Sequence, residues 1–421
     1  MSQLLQIHEP ARAAVRPQWR AFLELGFRPL YLAGCAWALI AIALWIFAPH
    51  WLGGHLTGIA WHAHEMLWGF IVTIAVGFLF TAGANWTGIV PLQGRALGFA
   101  CVLWLAARLG FLVPGTPAFV VAAAAELGFL ALAAWALARA VYPARSKRNY
   151  GLPLALLALG VADALFLSAV WRGDYVVLMQ HFHGAMLAMA LIALLVARRV
   201  IPFFATRAVP GLQIPMHTDS GQWQLGFAGL GLAAGWVGLN TLAAFGLGAA
   251  GALTLWQLRA WQPRAVRRVP LLWILYIGYG ALGAGLLVAA AGRFDWGPRA
   301  GWAIHVIAVA GFSVLIIGMV TRTALGHLGR PLQTDRSMVS SYVLVIIAAL
   351  LRLAALWPSP VALLCLRLSA LAWIAAFALY LWRFFPIMIR PRPDQPRQEA
   401  LRVPVVRPAR AAQSGSHAPS R

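Results

Sequence analysis

The sequence predicts an all-α fold, a polytopic membrane helix bundle of about twelve transmembrane helices. Three observations predict it. Of the 421 residues, 62% are hydrophobic and only 10% are charged, whereas a soluble domain carries about 25% charged residues. The mean hydropathy is +0.77. Apolar runs near the length that crosses a bilayer, roughly 20 residues, follow one another along most of the chain. This composition excludes a soluble enzyme with one greasy core and points to a single bundle without a second folded unit.

The runs fall near 27–48, 57–82, 95–113, 117–140, 152–171, 174–198, 222–239, 240–260, 270–291, 300–321, 338–356 and 360–384. Leu225 to Leu255 is almost continuous, about 31 residues and too long for one span, so it is read as a hairpin breaking near Asn240. Residues 1–26 are polar and form an N-terminal segment ahead of the bundle at 27–385. The first apolar run is long enough to be a retained helix, not a cleaved signal. Residues 386–421, rich in Pro, Arg, Ser and Ala, are expected to be a disordered basic tail.

A net charge of +22 raises the question of nucleic acid. The positions answer it. Arg139, Arg145, Lys147 and Arg148 follow the fourth span, and Arg198, Arg199 and Arg207 follow the sixth. Arg259, Arg264, Arg267 and Arg268 follow the eighth, Arg322, Arg330 and Arg336 the tenth, and Arg383, Arg390, Arg392 and Arg397 the last. Alternation of this kind is the positive-inside pattern, with both termini cytoplasmic, the lipid bilayer as partner and no nucleic acid. Cys35, Cys101 and Cys365 lie in apolar stretches without C-x-x-C spacing and read as buried small residues.

The candidate chemistry lies in the histidines. His62 and His64 open the second span, His181 and His183 sit early in the sixth, and His305 sits early in the tenth. All three helices enter from the outer side, so the five rings share one leaflet. Ionisable groups at that depth are costly and mark function by default. The helices are four spans apart, which suggests three four-helix units, each with a His-bearing second helix. Residues two apart on a helix diverge by roughly 200°, so an H-x-H pair serves two sites better than one. Neutral imidazole ligates haem iron, copper and zinc. Glu65 can orient a ring from behind, and Met66 and Met186 are soft donors within a turn of a histidine. Glu126 and Asp163, within the fourth and fifth spans, can form a proton path, pair with Arg108, or hydrogen-bond. Asn85-Trp86-Thr87-Gly88 ends the second span as a turn with Gly88 as a left-handed cap. Arg322 and His327 belong to a basic segment at the far end of the tenth span, too distant to share the outer site.

Several of these stretches carry a resemblance. Phe27-Arg28-Pro29, Trp61-His62-Ala63-His64-Glu65-Met66-Leu67, Gly77-Phe78-Leu79, Asn85-Trp86-Thr87-Gly88, Trp104-Leu105-Ala106-Ala107-Arg108 and Thr321-Arg322-Thr323-Ala324-Leu325-Gly326-His327-Leu328-Gly329-Arg330-Pro331 resemble the NnrS family. The resemblance implies a bacterial inner-membrane protein containing haem and copper, linked to nitric oxide metabolism, denitrification or resistance to nitrosative stress. It does not name ligands; His62, His64, His181, His183 and His305 are candidate ligands by topology. The plan also looks like that of haem-copper oxidase subunits, with His on the second, sixth and tenth helices. It departs from them in its H-x-H spacing and in lacking a His pair in the seventh helix. Redox turnover of nitric oxide would draw on an electron donor that the chain does not identify; sensing, sequestration and metal delivery use the same ligands. Two other classes remain open: a secondary transporter, and a haem- or copper-handling protein without redox turnover. Against the transporter, the ionisable residues cluster near one leaflet and are His, where proton-coupled carriers rely on midplane Asp or Glu.

Overall fold

The computed structural model describes residues 16–294 and 301–393. The expectations placed on the first part of the N-terminal segment and on most of the C-terminal tail lie outside the described residues. Within them the chain forms twelve helices of 17 to 34 residues. In order these are α1 (Phe27–Phe47), α2 (Gly58–Thr87), α3 (Gly94–Gly110), α4 (Thr116–Val141), α5 (Gly151–Arg172) and α6 (Tyr175–Ala208), followed by α7 (Thr218–Trp236), α8 (Asn240–Ala260), α9 (Pro270–Ala291), α10 (Gly301–His327), α11 (Arg336–Ala354) and α12 (Ala362–Met388).

Ten of the twelve are long and apolar enough to cross a membrane. The exceptions are α3, which is short and carries Arg95 and Arg108, and α7, whose first turns hold Asp219, Gln222 and Gln224. Both nonetheless pack along their neighbours, α3 on α4 and α7 on α8. The expected hairpin between α7 and α8 is present. Gly238 turns the chain at φ +78°, and the two helices close on glycines. A Cβ on Gly246 would lie 2.6 Å from the backbone nitrogen of Gly231.

Sequential helices pack side by side, and α12 returns to pack on α1, which closes the bundle. Trp373 on α12 donates its indole N–H to the Ala38 carbonyl at 2.9 Å. Arg28 reaches across to the carbonyls of Met388 and Arg390 at 3.2 and 2.7 Å. The last helix thus continues three residues beyond the bundle boundary read from sequence. Inside this ring, α6 contacts α2, α9 and α10. The apolar window of α2 is 78% buried within the protein, against 28% for α12, so α2 is a central helix and α12 a peripheral one.

Two local features were not expected. Glu65–Val72 of α2 and Val306–Ser313 of α10 are π-helical, and each begins directly after a histidine, His64 or His305. Each ends on a hydroxyl that bonds the carbonyl five residues back: Thr73 to Trp68 at 3.0 Å and Ser313 to Ala308 at 2.9 Å. Short π stretches widen a helix by part of a residue per turn and recur at functional sites. The expected left-handed cap at Gly88 is formed, with φ +73° and its N–H on the Ala84 carbonyl at 2.8 Å. Helix α6 extends to Ala208, so Arg198, Arg199 and Arg207, read as loop, stand on its last turns. Arginine is a good helix former with a long stem, and tolerates that position.

Candidate haem cavity and an adjoining charged cluster

His62 and His64 occupy opposite sides of α2, as the 100° step per residue requires. His62 stacks on Trp45 of α1, centroids 5.1 Å apart and rings 8° from parallel. It lines a cavity between α1, α2, α6, α10, α11 and α12 that encloses about 950 Å³, its open side included. His305 of α10 lines the same cavity. Its Nδ1 lies 2.6 Å from the Gly301 carbonyl, so this nitrogen carries the proton and Nε2 is left as a lone-pair donor. The Nδ1 of His62 is buried without a hydrogen-bond partner. Met66, Met179 and Met186 complete the soft lining, and the other walls are largely aliphatic and aromatic. A second, largely apolar cavity of about 700 Å³, its open side included, lies between α1, α2, α6, α9 and α10, and Ile71 lines both.

On the opposite side of α2 lies a different chemistry. His64 is fully buried, with Nδ1 2.9 Å from Glu65 and Nε2 3.0 Å from Asp163 of α5. Both ring nitrogens face carboxylates, and neither is free for a metal. Glu65 also accepts from Trp37 of α1 at 2.6 Å and from Arg108 of α3 at 2.7 Å. Arg108 forms a second ion pair with Glu126 of α4. The five ionisable groups His64, Glu65, Arg108, Glu126 and Asp163 show no solvent exposure. Helices α2 to α5 each contribute one or more of them, and α1 adds the Trp37 N–H. Room for the guanidinium comes from Gly69, where a Cβ would lie 2.3 Å from the Arg108 NH1 nitrogen and 2.9 Å from Glu65. Of the alternatives for the intramembrane acids, Glu126 pairs with Arg108 while Asp163 takes His64.

The five histidines expected to supply two adjacent sites are not brought together: His62 and His305 share one cavity, and His64 faces the carboxylates behind α2. On α6 it is Phe182, with Met179 and Met186, that faces the cavity. His181 and His183 flank Phe182 in sequence and are each rotated away by about 100°. His181 packs beside Trp236 of α7, centroids 5.4 Å apart. His183 is half-buried against the Phe182 ring. Among the described residues no three His, Cys, Asp or Glu side chains converge on a point that could hold a metal ion. A copper centre with three imidazoles therefore does not fit this arrangement. Two imidazoles on an apolar cavity fit the donor chemistry of haem, whose macrocycle is apolar and whose anchor is a histidine. The three cysteines are free.

The remaining motif residues gather at the opposite end. Asn85 is 3.4 Å from His327 Nε2, and His327 lies against Phe27, centroids 5.7 Å apart. Arg322 lays its guanidinium 3.8 Å over the Phe204 ring, and Trp86 is part-exposed beside Asn85. These contacts tie the ends of α1, α2, α6 and α10 together. Sequence reasoning missed Arg352 of α11, which lines the cavity with His62 and His305. The signal was present: a lone arginine inside an apolar span.

The fold and the site define a class, a multi-pass α-helical membrane protein that turns paired imidazoles into an apolar cavity near one end of its bundle. The particular family follows from comparison: the sequence model described as NnrS protein matches residues 21–392, and the chain belongs to the NnrS family. No curated protein matches the chain.

Proposed function

We propose that this protein is a haem-binding component of nitric oxide metabolism or nitrosative-stress resistance in a bacterial cytoplasmic membrane, its cavity near the periplasmic face. One observation carries the reading. Two histidines on different helices, His62 and His305, present imidazole to one apolar, membrane-embedded cavity. Haem bound there would supply an iron centre for a diatomic such as nitric oxide. Trp45 holds the His62 ring in plane, the Gly301 carbonyl fixes the tautomer of His305, and Met66, Met179, Phe182 and Met186 keep water out. Glu65 belongs to the cluster behind α2 and not to the cavity. The same geometry weighs against a proton-coupled carrier, because the intramembrane acids are locked in ion pairs away from the cavity. Copper finds less support than haem, since the histidines of α6 turn elsewhere.

Purified protein should show a Soret band, or acquire one on adding haem. His62→Ala and His305→Ala should each lose or shift it, while His181→Ala and His183→Ala should leave it in place. A spectrum indifferent to both cavity histidines would sink the reading. Nitric oxide consumption beyond one equivalent, with a reductant present, would mark an enzyme; consumption that stops at one equivalent would mark a binder.

A further inference from the structure

The cavity contains a charge that the imidazoles do not explain. Arg352 stands near the end of α11 and shares the lining with His62 and His305. Among the described residues no carboxylate pairs with it. No hydrogen bond joins Arg352 to the two hydroxyls that line the same space: Ser313 donates to the Ala308 carbonyl at 2.9 Å and Ser369 to the Ala348 carbonyl at 2.7 Å. The intramembrane acids Glu65, Glu126 and Asp163 are held on the far side of α2 by Arg108 and His64. Arg352 is partly buried, and a guanidinium on the lining of an apolar cavity is stabilised by an anionic partner, since a charge without one is costly to desolvate. Guanidinium also presents a planar fork that matches a carboxylate at two points.

We infer that Arg352 is the carboxylate anchor of this cavity, which takes a largely apolar molecule carrying a carboxylate at its edge. The inference deepens the haem reading and rests on it: the porphyrin ring occupies the apolar space, and a propionate side chain meets Arg352. The walls account for the body of such a ligand, the imidazoles for its centre, and Arg352 for its orientation. Without the anchor an amphipathic ring has no preferred way round in the cavity.

The test compares molecules that differ only in the carboxylates. Metal-free protoporphyrin and its dimethyl ester are titrated into the purified full-length protein in detergent, following tryptophan quenching, and haem and its dimethyl ester are titrated likewise. Wild type should bind each free acid at least about tenfold more tightly than the ester, the scale of a hydrogen bond to a charged group. Arg352→Gln should abolish that preference, Arg352→Lys should keep part of it, and both should leave the position of the Soret band unchanged. Unaltered preference in Arg352→Gln, or equal binding of acid and ester by wild type, would overturn the anchor; the latter is the outcome expected if Arg352 serves only lipid headgroups. The metal-free arm separates this failure from that of the haem reading. Acid preference lost in Arg352→Gln, with haem spectra indifferent to His62 and His305, would retain the anchor and refute the axial assignment. Matching thermal unfolding of Arg352→Lys and wild type guards against a folding artefact.

Discussion

Replacing Arg108 with Met is the most incisive perturbation of the charged cluster. In the native protein the guanidinium faces two carboxylates, Glu65 at 2.7 Å and Glu126, and a third, Asp163, lies beyond His64. All of these side chains are out of solvent. Arg108→Met fits the space but removes one charge-assisted hydrogen bond, to Glu65, worth about 1.5–3 kcal/mol, and the ion pair with Glu126. The expected loss is roughly 3–5 kcal/mol, the range found when one partner of a buried pair is removed. The larger part of the loss is the carboxylates left behind, so neutralising them should restore stability. Arg108→Met should strongly lower the thermal unfolding temperature of the detergent-solubilised protein, and Arg108→Met combined with Glu126→Gln should recover a substantial fraction. Arg108→Lys should fall between, because a single ammonium cannot bridge both acids with the same fork. The assay is retention of monodisperse protein on size exclusion after heating. An Arg108→Met variant within about 0.5 kcal/mol of wild type, the range of an ordinary surface change, would refute the account.

Other expectations follow from single contacts. Gly69→Ala places a methyl against Arg108 and Trp37, and should destabilise by about 1–3 kcal/mol, as overpacking does; heating of the purified variant checks it. Gly246→Val should separate α7 from α8 at a similar cost, again read as a lowered unfolding temperature. Asp335 caps α11 through the Met338 N–H at 3.1 Å and bridges to Arg383 at 2.6 Å. Partial burial works to raise its pKa, but the hydroxyl of Ser337, Arg383 and the Met338 N–H outweigh it and bring it down to about 2. A depressed carboxylate stabilises above its unfolded pKa, about 3.9, and loses that contribution as pH falls through its folded value. Asp335→Ala should therefore cost about 0.5–2 kcal/mol at neutral pH, and the gap to wild type should hold down to about pH 4 and narrow toward pH 2. A gap that widened in acid would contradict the assignment.

Much of the scaffold is legible in the sequence because bilayer thickness imposes a length rule on each helix. The hairpin at Gly238, the cap at Gly88 and the divergence of His62 from His64 all follow from backbone rules of one or two residues. The site is less legible, because rotation about a helix axis is set by neighbours. His181 and His183 look as eligible as His62, yet Phe182 holds the inward direction. Two adjacent sites would need each histidine-bearing helix to turn its rings toward the others, which H-x-H spacing alone does not specify. The π stretches after His64 and His305 leave no pattern in apolar runs, since they change hydrogen-bond spacing and not residue type. Arg352 is visible as an isolated charge in an apolar run, but it lies outside the histidine pattern from which the candidate ligands are read. The pairing of His64 with Asp163 joins residues 99 apart in sequence, and only tertiary packing specifies it.

The closure of α12 on α1 has a consequence for synthesis. Arg28 is fully buried, and its carbonyl acceptors are on Met388 and Arg390, some 360 residues later. As the chain emerges from the ribosome, the first helix enters the bilayer with that guanidinium lacking its native carbonyl partners and keeps it so until the twelfth is inserted. The two ends of the bundle act as a latch that shuts last. A chain truncated before Ala362 would have the other eleven helices but an open seam along α1.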